Sequence, residues 1–182
     1  LCVGILIAGI SLGPALVGLF GNERFVEGGV TVPALYSPNF YFSTIAGFMS
    51  TTGVGSDCYI GFGGLAFLAC VLLFTQRKQH RLLKWCFVAL VVVLFLPVCG
   101  SVLNGFNYAT NRWVWAFALL VCFIVAKMLP NLLAVGSREA KALVVASLVF
   151  GIFTILVPQA RTEQTVAACV VLTATLMVVI QK

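Results

Sequence analysis

The chain alternates between long apolar runs and short polar segments. Six runs approach the roughly 20 residues that a helix needs to cross a bilayer, and a span tolerates about 17. They cover residues 1–20, 59–74, 85–103, 113–129, 142–157 and 165–180. Several are slightly short, so we expect their ends to extend into the flanking segments. The pattern predicts an all-α, polytopic transmembrane bundle of about six spans, forming a single membrane domain over residues 1–182.

The composition supports a membrane protein. Hydrophobic residues make up 62% of the chain, charged residues make up 9%, and the mean hydropathy is +1.12. Soluble domains are about 45–50% apolar and roughly 25% charged. The net charge of +6 does not indicate a nucleic-acid partner, because the cations are not clustered with stacking aromatics. The lipid bilayer is the first partner that the sequence predicts.

Lysine and arginine predict the orientation of the chain. In the six-span arrangement, eight cations fall on one side: Arg77, Lys78, Arg81, Lys84, Lys127, Arg138, Lys141 and Lys182. Only Arg24, Arg112 and Arg161 fall on the other side. Because positive residues accumulate on the cytoplasmic side, both ends of the chain are expected on the cytoplasmic side of the membrane. The segments 21–58 and 104–113 are then external.

Segment 21–58 is predicted to be an external loop that contains one short helix. Ser37-Pro38 is typical of an N-cap followed by a first-turn proline, and Phe42, Ile45 and Phe48 follow at helical spacing. We expect this helix to lie at the outer membrane surface with its aromatic face in the interface. An irregular lid packed on the spans is the alternative.

Residues 104–113 form a polar, aromatic decapeptide between two apolar runs. Lipid cannot satisfy its amides, hydroxyl and guanidinium, so it must face water, headgroups or a ligand. Arginine can donate two hydrogen bonds to a phosphate, and asparagine suits sugar hydroxyls because it both donates and accepts. The predicted substrate-binding residues are Asn104, Asn107, Tyr108, Asn111, Arg112 and Trp113. Alternatively, Arg112 and Trp113 only anchor the chain at the membrane interface.

Other chemistry is poorly represented. Six of the seven cysteines lie in or beside apolar runs without CxxC spacing, and His80 is the only histidine, so no metal or cofactor is predicted. The glycines near residues 53–64 favour helix packing over a phosphate-binding loop. No acidic residue falls inside a predicted span, which argues against an ion-coupled carrier.

Two segments suggest a family. Leu96-Pro97, then Leu103 and the decapeptide, resemble the NGF-x-Y-x-x-NRW segment of YfhO-type bacterial membrane proteins. The upstream stretch 36–42, YSPNFYF, is similar to the external loop that precedes a span in the same family. Only the decapeptide is specific, since the remaining similarity is general hydrophobicity.

The resemblance implies a glycosyltransferase of the GT-C type. Such a protein moves a sugar from a polyprenyl-phosphate carrier to an extracellular cell-envelope polymer such as teichoic or lipoteichoic acid. Arg112 would stabilise the phosphate leaving group. Such folds carry their acidic catalytic residues in an external loop near the N-terminus of a longer protein. Because this chain starts at Leu1 inside an apolar run, we expect a fragment that lacks this loop, and the catalytic base stays unassigned rather than placed at Asp57 or Glu23.

Two other functions stay open. One is a flippase or permease module for lipid-linked saccharides, which would need a polar path through the bilayer. Ser11, Thr154, Thr173 and Thr175 on one inward groove would indicate such a path. The other is a non-catalytic membrane scaffold that recruits cell-envelope enzymes.

Overall fold

The computed structural model describes residues 32–49, 60–76, 79–105, 108–157 and 163–181. Every regular element in these ranges is an α-helix, which confirms the predicted all-α class. The helices are α1 (Pro38–Gly47), α2 (Gly63–Thr75), α3 (Arg81–Phe95), α4 (Pro97–Leu103), α5 (Val114–Leu132), α6 (Ser137–Leu156) and α7 (Glu163–Ile180). The predicted run 1–20, and with it Glu23 and Asp57, lie outside the described residues.

Helix α1 begins where the sequence predicts it. Ser37 is extended, with φ −62° and ψ 150°, and Pro38 occupies the first turn, where its missing N–H leaves no helical bond unmade. Phe40 and Thr44 are buried, and Phe48 lies edge-on to Phe62 with 5.0 Å between ring centroids. The helix therefore packs on the bundle, while its position at the outer membrane surface stays a prediction.

The run 85–103, predicted as one span, is instead divided between α3 and α4. The two helices meet at an angle of 94°. Leu96 between them is extended, with φ −105° and ψ 113°. The ring of Pro97 disfavours a helical conformation at the residue before it and cannot donate a hydrogen bond to the preceding turn. This Leu96-Pro97 bend is the physical reason why the run forms two helices and not the one continuous helix that the apolar pattern predicted.

Helix α2 lies at the centre of the described bundle. It packs against α5, α6 and α7. Leu68, Leu72 and Leu73 are fully buried on α2, and Phe117, Ile124 and Met128 of α5 are buried at helical spacing. The core therefore lies between α2, which is covered on several sides, and one face of α5, where buried residues recur at the 3.6-residue period of a helix.

Two described helices, α5 and α6, are long and apolar enough to cross a membrane, and the number rises to three if the bent pair α3–α4 counts as one span. The apolar helices Gly63–Thr75 and Thr165–Ile180 are shorter. On the outer face of α6, Ile155 and Leu156 are 70% and 72% exposed, as expected for side chains that contact lipid. The count of six spans stays a prediction.

Close packing between α2 and α7 depends on Gly64. A Cβ atom there would lie 3.0 Å from the Cα of Leu172, whereas a Cβ at Gly151 of α6 would meet nothing within 4 Å. Replacing glycine by alanine in a helix raises the free energy of unfolding by up to about 1 kcal/mol, unless the added methyl group is overpacked against its neighbours. We expect Gly64→Ala to lower the free energy of unfolding by about 1 kcal/mol, because the cost of overpacking exceeds that gain. The control Gly151→Ala should leave it unchanged or raise it, as measured by denaturant unfolding in detergent.

Candidate functional site

The two segments that carry the family resemblance meet in space. The Asn111 side chain donates a hydrogen bond from Nδ2 to the Tyr36 hydroxyl at 3.3 Å, across 75 residues of sequence. Asn111 is fully buried, and Thr110 beside it is 2% exposed. The base of the decapeptide is therefore fixed against the segment that leads into α1.

The Leu96-Pro97 bend is held by the same segment. The Tyr41 hydroxyl donates to the Phe95 carbonyl at 3.3 Å and accepts a hydrogen bond from the Tyr36 backbone N–H at 3.0 Å. The last carbonyls of a helix have no N–H partner within the helix, and here the Tyr41 hydroxyl donates to one of them. Rings also pack at this point, since Tyr41 lies edge-on to Phe95 at 5.5 Å. One hydroxyl thus joins α1 to the bend.

Gly100 allows α4 to approach the decapeptide. A Cβ atom at this position would lie 2.9 Å from the Thr110 carbonyl oxygen and 3.1 Å from the Tyr36 hydroxyl. Any other residue would push α4 away from both groups. The bend, the decapeptide and the segment before α1 therefore form one packed unit around Asn111.

Tyr108 and Arg112 form the exposed part of this site. The Arg112 guanidinium donates from Nη2 to the Tyr108 hydroxyl at 3.2 Å, and the Asn104 side chain donates from Nδ2 to the Tyr108 carbonyl at 3.1 Å. Tyr108 is 39% exposed and Arg112 is exposed as well. We call these two residues the Tyr108–Arg112 pair. The pair exposes a cation and a phenol, and buried contacts hold the backbone that carries them.

The six predicted site residues thus occupy different environments. Tyr108 and Arg112 are exposed, and Asn104 is half-buried beside them. Asn111 is interior, where its Oδ1 has no hydrogen-bond partner, and half-buried Trp113 packs against the core with its Nε1 atom also unpartnered. Asn107 lies outside the described residues. In this geometry Asn111 positions the decapeptide, while Arg112 and Tyr108 are placed to meet a ligand.

Sequence reasoning did not identify Tyr36, Tyr41 and Gly100 as parts of the site. Tyr41 bonds Phe95 across 54 positions and Tyr36 bonds Asn111 across 75 positions, and no local pattern reports such pairings. One signal was available for the bend, since an apolar run interrupted by Leu96-Pro97 favours a break at the residue before proline.

The sequence model of one protein family, described as bacterial membrane protein YfhO, matches residues 2–181. The chain belongs to the YfhO family. This confirms the resemblance that the decapeptide and segment 36–42 indicated, and it identifies a membrane-embedded protein whose surroundings are a lipid bilayer. No curated protein matches the chain, and no solved structure matches it. In this YfhO family member, the decapeptide and segment 36–42 that carried the resemblance are in contact through Tyr36 and Asn111.

Proposed function

We propose that this chain is part of a bacterial membrane glycosyltransferase. In this proposal the complete protein transfers a sugar from a polyprenyl-phosphate carrier to a cell-envelope polymer such as teichoic or lipoteichoic acid, on the outer face of the cytoplasmic membrane. The observation that carries the proposal is the exposed Tyr108–Arg112 pair on a buried, hydrogen-bonded base. Membership of the YfhO family supports the membrane setting.

The charge of Arg112 suits the leaving group of such a reaction. When the bond between sugar and carrier breaks, negative charge grows on the phosphate oxygens, and a fixed cation lowers the free energy of that transition state. Guanidinium also matches phosphate geometrically, because its N–H groups can donate two parallel hydrogen bonds. The hydrogen bond from Arg112 to Tyr108 orients this group before the carrier arrives.

The neighbouring groups suit the sugar. The Tyr108 ring can stack on a pyranose face, and the half-buried Asn104 side chain offers an amide oxygen beside it. The acceptor hydroxyl also needs a base, which we do not assign to Glu23 or Asp57. The described residues thus support a role in binding the donor, and the base is expected elsewhere in the complete protein.

A transfer assay on the complete protein tests this function. The purified protein in lipid vesicles should move radiolabelled sugar from a polyprenyl-phosphate donor to a teichoic acid acceptor. Free sugar, without the lipid phosphate, should not serve as donor, because Arg112 would have no phosphate to stabilise. Absence of transfer with every polyprenyl-linked sugar tested would favour the scaffold alternative.

The permease alternative gains no support from the described helices. The hydroxyls of Thr173 and Thr175 each donate to the carbonyl four residues earlier on α7, and Thr154 donates to the Gly151 carbonyl on α6. Thr173 is exposed on the outside of the bundle, whereas Thr154 is buried. These three side chains do not line one polar groove, and Ser11 lies outside the described residues.

A further inference from the structure

A second feature of the bundle is an apolar cavity of about 800 Å³ that the decapeptide does not line. One wall is a face of α2 with Phe67, Cys70, Val71 and Phe74, at helical spacing, and the facing wall is a face of α3 with Phe87, Val91 and Leu94. Side chains of α1, α5 and α6 also line it. The volume lies in the range of small-molecule sites, and the lining is almost entirely hydrocarbon.

The cavity runs along the helices, and its polar groups lie at opposite ends. Phe67 near the start of α2 contacts Phe150 late in α6, with 5.3 Å between centroids, so the two helices are antiparallel. Arg138, at the start of α6, therefore lies beside the end of α2, and Thr75 lines the same end. At the other end Thr44 of α1 lines the cavity with a buried hydroxyl that has no hydrogen-bond partner.

The charge at the Arg138 end is unbalanced. Among the described residues that line the cavity, Arg138 is the only charged one, and it is exposed at the mouth. The first five residues of α6 carry two cations, Arg138 and Lys141, against one carboxylate, Glu139, whose Oε2 also accepts a hydrogen bond from the Gly136 N–H at 3.1 Å. The start of a 20-residue helix adds partial positive charge at the same place. This end therefore attracts an anion, and the rest of the cavity excludes one.

We propose that the cavity binds one chain of an anionic phospholipid whose phosphate group contacts Arg138. A hydrocarbon chain matches the apolar lining of the cavity, and a phosphate headgroup matches the Arg138 cation at its mouth. This lipid is distinct from a sugar donor at Arg112. Helix α5 separates the two arginines, and its 19 residues span about 28 Å. The site adds a binding function to the proposed transfer activity and does not depend on it.

Lipid titration of the complete protein, followed by native mass spectrometry, tests the site. Dioleoyl phosphatidylglycerol should bind in one tight step that dioleoyl phosphatidylcholine does not reproduce. Arg138→Gln should weaken phosphatidylglycerol binding about tenfold, as expected for the loss of one charge-assisted contact. The matched control Lys141→Gln removes the same charge from an exposed residue that does not line the cavity, and it should change binding less than about twofold.

A second pair of variants tests the chain-binding part. Val71→Trp fills the cavity and should abolish the tight step, whereas Val145→Trp on the exposed face of α6 should keep it. Glycerol phosphate, which has the anion and no chain, should not compete at equal concentration. Equal losses in Arg138→Gln and Lys141→Gln, or tight binding retained in Val71→Trp, would overturn the proposal. Wild-type protein without a tight step would overturn it too and would indicate that protein covers the cavity.

Discussion

Arg112→Ala is expected to lower sugar transfer by the complete protein at least about a hundredfold, the loss typical when a preorganised charge-stabilising donor is removed. The reason is local. Arg112 is exposed, and its guanidinium donates to the Tyr108 hydroxyl, so the variant removes the cation from an exposed position. The measurement is transfer of labelled sugar from a polyprenyl-phosphate donor, together with the amount of protein in the membrane.

Two further variants test whether transfer depends on the orientation of the Arg112 guanidinium, and whether the loss of any other cation has the same effect. Tyr108→Phe keeps the cation and removes the hydroxyl that orients it, so it should lower transfer about tenfold. Lys127→Gln removes an exposed cation at the far end of α5 and should leave transfer unchanged. If Arg112→Ala transfers sugar at the wild-type rate with normal membrane levels, Arg112 has no part in the reaction and serves as an interfacial anchor.

Asn111→Ala should destabilise the protein and loosen the decapeptide. It removes the fully buried side chain that donates to Tyr36 and leaves a space below the loop. Losing a buried hydrogen bond of this kind costs about 2 kcal/mol. We expect a drop of that size in the free energy of unfolding in detergent, accompanied by reduced transfer because the Tyr108–Arg112 pair is no longer held.

Asn131→Ala is the matched control for this variant. It makes the same chemical change on α5, at a half-buried position near the helix end, and should alter unfolding by no more than about 0.5 kcal/mol. An Asn111→Ala protein that unfolds like wild type would mean that the contact to Tyr36 does not fix the decapeptide. The bend, the decapeptide and the segment before α1 would then not form one packed unit around Asn111.

The apolar pattern predicted where α1 and α5 lie, and it missed where α6 begins. Helix α1 starts at the predicted Ser37-Pro38, and α5 covers Val114–Leu132 where the run 113–129 was predicted. Helix α6 starts earlier than the run 142–157, at Ser137, because the Glu139 side chain caps the Gly136 N–H and extends the helix into polar sequence. Hydropathy does not register such a cap.

The site was less predictable than the helices. Composition selected the decapeptide because lipid cannot satisfy its polar groups, and it could not distinguish exposed Arg112 from buried Asn111. That difference arises from the contact with Tyr36, and the bend that permits it depends on Pro97 and Gly100. The apolar cavity could not be predicted from the sequence either. The faces of α2 and α3 have helical periodicity that is equally typical of a filled core.

The orientation of the decapeptide is the central claim, and cysteine labelling tests it most directly. Asn107→Cys and Ser137→Cys would each be placed in a version of the protein without other cysteines and exposed to a membrane-impermeant maleimide. We expect position 107 to be labelled in intact cells and position 137 to be labelled only after permeabilisation. Labelling of position 107 only after permeabilisation would contradict it, because Arg112 would then face the cytoplasm, away from the proposed acceptor.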